Sequence, residues 1–124
     1  IFGLPGGMLG VMSKFLNMGV GLEEIILRST VTPAREINRP ELGTLDIGAE
    51  ADVAVLDVME GEFGFVDCGR AKMLGNKMLK AMMTLRKGDV VYDPTGLSMP
   101  KWDEAPAEYW VVRQGRASAA TTKK

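Results

Sequence analysis

The apolar residues of this chain keep a three- and four-residue spacing through its first forty positions and a two-residue or continuous spacing from Glu41 onward. A chain that changes period once in this way makes helices first and strands afterwards, an α+β arrangement, because the two spacings fit different surfaces. Met8, Val11, Met12, Phe15 and Leu16 share one face of a helix, with Ser13, Lys14 and Asn17 opposite, and Gly19 and Gly21 stop it. Leu22, Ile25, Ile26 and Ser29 give a second short helix. Its first turn holds Glu23 and Glu24, where carboxylates complement the positive end of the helix dipole. Adjacent helix positions point about 100° apart, so these two acids read as a solvated first turn and not as an acid–base pair. Thr32 is a good N-cap for a third helix and Pro33 suits its first turn, while Asn38-Arg39-Pro40 ends it within two turns. Helices this short are marginal alone and need a partner surface.

Beyond Glu41, Gly43, Gly48 and Gly61 separate the apolar runs. Val53-Ala54-Val55-Leu56 is continuous and reads as a buried strand. Leu79, Ala81, Met83 and Leu85 alternate with Lys80, Met82, Thr84 and Arg86, the period of a half-exposed strand. Lys87-Gly88-Asp89 turns that strand into a returning one, Val90-Val91-Tyr92, with Gly88 supplying the positive φ such turns require. Asp93-Pro94 ends the sheet. Leu97 to Trp110 holds both tryptophans with Pro100 and Pro106, and reads as a wrapping segment anchored by Trp102, Tyr109 and Trp110. The small, polar and basic residues from Arg113 to Lys124 read as a disordered tail. The division is thus 1–40 helical, 41–96 strands, 97–112 wrapping segment and 113–124 tail.

Charge excludes some functions. Lys plus Arg number 15 against 16 Asp plus Glu with the signs interspersed, so no basic face is present to neutralise phosphates, and no nucleic-acid partner is expected. No apolar stretch approaches the roughly 20 residues that cross a bilayer, so no membrane partner is expected and we read the chain as cytoplasmic. A start at Ile1, in a segment that reads like the middle of a protein, suggests a piece of a longer one. The glycines around Pro5 precede a helix, but their spacing fits neither dinucleotide nor P-loop fingerprints, which leaves a flexible loop, with a substrate-contacting loop as the alternative.

Histidine is wholly absent and Cys68 is the sole cysteine. Catalytic zinc takes imidazole ligands in nearly every known site, so the chain alone holds no such metal. Cys68, without a histidine to activate it, reads as a half-buried structural residue. Nine methionines, among them Met78, Met82 and Met83, fit core packing more simply than an adaptable binding surface.

Ser29-Thr30-Val31-Thr32-Pro33-Ala34-Arg35, then Gly43-Thr44-Leu45, then Gly48-Ala49-Glu50-Ala51-Asp52-Val53-Ala54-Val55-Leu56 resemble the closing segment of amidohydrolases. Thr32 stands where that family usually has Asn, and both residues cap helices well. Met12-Ser13-Lys14-Phe15-Leu16, Phe63-Gly64-Phe65-Val66-Asp67, and Asp93-Pro94-Thr95-Gly96-Leu97 with Trp102 resemble the dihydroorotase-like deacetylase branch. The resemblance spans Phe2 to Trp110 and implies the C-terminal helices of a (β/α)8 barrel, followed by strands of a small β-sandwich. It implies that Gly48 turns left-handed, that Asp52 bonds turn amides, and that both are structural. It also implies a complete enzyme using zinc or another divalent metal to hydrolyse a small-molecule amide, with every metal ligand upstream of Ile1. This chain would then have no catalytic residue, and Leu4, Pro5, Gly6 and Gly7 would be the substrate-binding loop leaving the active site. Its partner would be the rest of the barrel. The competing expectations are a non-enzymatic module that pairs with another copy of the chain, and an anion-binding loop domain.

Overall fold

The computed structural model describes residues 7–107. Three helices come first, α1 (Gly7–Asn17), α2 (Leu22–Ser29) and α3 (Val31–Glu36), followed by three strands, β1 (Val53–Val66), β2 (Lys72–Arg86) and β3 (Asp89–Tyr92). The strands form one antiparallel sheet in the order β1-β2-β3. The α+β class agrees with this order, the last helix ending at Glu36 and the first strand starting at Val53.

Several boundaries differ from the sequence reading for identifiable reasons. Gly7 to Gly10 are the first turn of α1 and not part of a loop, because only Gly7 itself takes a positive φ (57°). The N-cap of α3 is Thr30 and not Thr32, which places Pro33 in the third helical position, still ahead of the residues whose amides must bond within the helix. Thr30 gives no side-chain cap, since its hydroxyl donates back to the carbonyl of Ile26 at 2.7 Å. Asn38 closes α3 with a φ of 56°, a conformation that Asn tolerates.

Gly61 does not end a strand. β1 runs 14 residues through it, and the register with β2 slips between Glu60 and Phe63, a bulge that absorbs Gly61 and Glu62. The run Val53 to Leu56 is not buried on both faces, because Ala54 and Val55 are exposed and β1 has no strand on its outer side among the described residues. Arg86 pairs with Asp89 around Lys87-Gly88, whose φ values of 52° and 87° make the two-residue turn that suits twisted strands. The expected left-handed turn at Gly48 is present, with φ 91°. Asp52 does bond a turn amide, but that of Lys87, 35 residues away, at 2.8 Å; Gly88 adds a bond to the Ala51 carbonyl at 3.0 Å.

The buried core is small. Met12 of α1, Ile25 of α2 and Leu79 of β2 meet at its centre, with Leu9, Leu16, Val20, Leu22, Leu56 and Val58 around them. Each buried side chain of this size contributes about 1.5–3 kcal/mol. Large apolar residues remain outside it: Ile26 and Leu27 on α2, Ile37 after α3, Leu45 and Ile47 in the following loop, and Val90, Val91 and Tyr92 on β3. The methionines of β2, Met73, Met78, Met82 and Met83, are half-buried.

Trp102, expected as an anchor, is 78% exposed among the described residues; Tyr109 and Trp110, like the tail, lie outside them. The segment before it is ordered by Asp93 instead. Its carboxylate accepts the amides of Ser98 and Leu97 at 2.8 Å each and the Ser98 hydroxyl at 2.7 Å. Those donors, the Ser98 amide first, hold the Asp93 carboxyl below its ordinary value. A carboxyl depressed in the folded state stabilises this loop above the unfolded value and releases it as pH falls through the lower folded one. The Leu97 and Ser98 amide resonances are therefore expected to titrate with a midpoint below 3.8, and Asp93→Asn should abolish that titration.

Candidate functional site

The first turn of α1 and its last turn offer different surfaces. Of the loop expected to contact substrate, Leu4, Pro5 and Gly6 lie outside the described residues, and Gly7 stands exposed at the head of α1. Asn17 ends the same helix. The ten rises of about 1.5 Å between the ends of this 11-residue helix separate the two by about 15 Å.

At the Asn17 end, an open groove of about 460 Å³ is lined by Asn17, Glu62, Phe63, Leu74, Gly75 and Asn76. The β1 bulge makes it. Gly61 lacks a side chain, so the Phe63 ring folds over it, and an added Cβ there would lie 3.1 Å from the ring. Leu74 projects beside it, 73% exposed. Gly75 leaves room for the Asn17 carboxamide, which a Cβ at that position would overlap.

The carboxamide is fully engaged. Its oxygen accepts the amides of Asn76 (2.8 Å) and Lys77 (3.1 Å), and its nitrogen donates to the carbonyls of Lys77 and Ser13, both at 2.7 Å. One turn earlier, Ser13 donates to the Leu9 carbonyl (2.6 Å) and accepts the Leu79 amide (2.9 Å). Ser13 is fully buried. The polar face of α1 therefore docks on β2, whereas the spacing rule set Ser13 and Asn17 opposite the packing face. The detectable signal was their own i, i+4 spacing, which puts two hydrogen-bonding side chains in one row. Beside the row, Lys14 donates to the Val66 carbonyl of β1 at 3.0 Å.

The groove has an aromatic face, one exposed carboxylate at Glu62, and amides already committed to the fold. It contains no nucleophile beside a base and no pair of carboxylates, so it can cradle an apolar edge but offers no acid–base or covalent chemistry. Cys68 is exposed in the Asp67–Ala71 turn, not half-buried, since that turn is held by Asp67 accepting the Ala71 amide at 2.8 Å and does not use the thiol. Glu24 pairs with Arg28 at 2.6 Å on the surface, as a solvated helix turn should. Glu41 sits against Arg39, which holds its carboxyl below the ordinary range.

A divalent metal does not fit these residues. Among the described residues no three His, Cys, Asp or Glu side chains are grouped to hold one, and the sequence supplies no imidazole. Nor is any helix among them long and apolar enough to cross a membrane.

No family model matches the chain, and no curated protein does. Among solved structures it is similar to one described as the crystal structure of an adenine deaminase, with a TM-score of 0.65 and 25% identity over 70% of this chain. The match covers 23% of that structure, so the chain spans less than a quarter of its neighbour's length.

Proposed function

We propose that this chain is the C-terminal part of an amidohydrolase-like enzyme, and that its own work there is structural. The observation that carries this reading is the fold similarity to an adenine deaminase over most of this chain and a minority of that one. Removal of an amino group from adenine by water breaks a carbon–nitrogen bond, the same class of reaction as the amide hydrolysis implied by the sequence resemblance. The motifs around Met12, Phe63 and Asp93 favour the dihydroorotase-like deacetylase branch within that class.

In this reading α1, α2 and α3 are the last helices of a (β/α)8 barrel, and β1 to β3 belong to its accessory sandwich. The apolar residues left outside the core then have an occupant: Ile26, Leu27 and Ile37 would face the rest of the barrel. Residues Leu4 to Gly7 would approach the mouth of the site, where such barrels hold their chemistry at the C-terminal ends of the strands. The metal-binding residues would come from elsewhere in the complete protein, because those present here do not fit a metal.

The test is direct. Purified residues 1–124 are expected to bind no stoichiometric zinc by metal analysis and to release no product from N-acyl, cyclic-amide or aminopurine substrates; turnover by this chain would overturn the reading. A second reading, a non-enzymatic module that pairs with another copy, is favoured by the exposed apolar residues and the absence of acid–base groupings among the described residues. Sedimentation separates the two, since the module requires a stable, discrete oligomer of this chain alone.

A further inference from the structure

The sheet is asymmetric. β3 pairs with β2 only at Thr84, Leu85 and Arg86, so among the described residues most of β2 has a strand neighbour on one side alone. On the other side, α1 supplies hydrogen bonds that a strand would ordinarily make. Ser13 takes the amide of Leu79, and Asn17 takes the amides of Asn76 and Lys77 and the carbonyl of Lys77. Gly75 provides the gap in which the Asn17 carboxamide sits. An unpaired edge of this kind is a template for another strand, and helix side chains laid along it are one way to close it.

Charge indicates which strand the edge matches. β1 carries Asp57, Glu60 and Glu62 and no basic residue, while β2 carries Lys72, Lys77, Lys80 and Arg86 and no acidic one. Within the chain the register already uses this, setting Asp57 opposite Lys80 and Glu60 opposite Lys77. β1 also has its whole outer side free of strands among the described residues.

We propose that α1 occupies the place of a fourth strand on β2, and that the strand this edge accepts when α1 lifts is β1 of a second copy of the chain. The contact is head to tail: an acidic β1 enters on a basic β2, and the second copy's own β2 is left to accept a third. Such an interface does not close on itself, so assemblies grow with concentration. The inference stands apart from the proposed enzymatic role, since it rests on the sheet edge alone.

The experiment compares the wild-type chain with two releasing variants, Gly75→Ala, which displaces the carboxamide without altering α1, and Ser13→Ala/Asn17→Ala. Sedimentation velocity over a concentration series reads mass, and far-UV circular dichroism reads the sheet. Both variants are expected to keep the sheet signal and to assemble at about tenfold lower concentration than the wild type. The added mass should shrink in about 0.5 M NaCl, where exposed charges are screened. It should shrink again when Glu62→Lys is added, a change at a bulge residue that has no partner within the chain's own register. Wild-type mass in both variants would overturn the proposal. So would mass that neither salt nor Glu62→Lys reduces, which marks association through apolar patches. Loss of the sheet signal in both variants would overturn it too, since α1 would then support the sheet and not guard it.

Discussion

Replacing Asn17 with Ala is expected to destabilise the fold by about 2–3 kcal/mol, measured by urea unfolding, although the residue is neither apolar nor fully buried. The reason is what it leaves behind. Two amides and a carbonyl of β2 lose their partner at once, in a stretch with no strand among the described residues to replace it. Ser13→Ala strands the Leu79 amide beside the core centre and adds about 1–3 kcal/mol. Together these approach half of the 5–15 kcal/mol that holds a typical domain together. Gly75→Ala offers the internal check. Its Cβ would occupy the carboxamide's position, so it should remove the same bonds as Asn17→Ala. In a double-mutant cycle the second change should then cost much less than it does alone. Additive costs would mean that the two residues act separately.

A comparable loss is expected at Gly43, and here the mechanism is steric. A Cβ on Gly43 would lie 2.6 Å from the carbonyl carbon of Thr30 and 2.7 Å from its oxygen, and the φ of 69° strains any residue with a side chain. Thr30 joins α2 to α3, so neither neighbour can move without shifting a helix. Gly43→Ala should cost about 3 kcal/mol, combining backbone strain with overpacking. Gly88→Ala separates the two contributions, because its φ of 87° carries similar strain but its Cβ would meet nothing within 4 Å. A cost of about 1 kcal/mol is expected there. Equal losses at the two glycines would show that the approach of Gly43 to Thr30 is unimportant.

Local rules predicted the local geometry well. The spacing of Leu22, Ile25 and Ser29 placed α2, the Lys87-Gly88 pair placed the second hairpin, and Gly48 took its left-handed turn, since each depends on a few neighbouring residues. Relations across long separations were hidden. Nothing near Ser13 in the sequence announces that Leu79, 66 positions later, will donate to it. A polar residue with a distant backbone partner looks the same, read alone, as one facing water. Val53 to Leu56 misled for a related reason. The run is apolar enough for a covered strand, but covering requires a neighbour that the described residues do not supply. Residue type suggested a half-buried Cys68 and an anchoring Trp102, and both are exposed. The candidate site was the least legible part, because the groove arises from a bulge at Gly61 and from the return of Asn17 to Gly75, and neither leaves a motif.

The span between Ser13 and Leu79 also sets an order of events at the ribosome. β1 and β2 meet across a five-residue turn and β2 and β3 across two residues, so the hairpins can zip as soon as they are made. The row on α1 must wait for 66 further residues, which at about 5–20 residues per second is a delay of roughly 3–13 seconds. Throughout that interval the sides of Met12 and Leu16 that will meet Leu79 lack the strand that covers them, and α2 is the first element of the core to reach them.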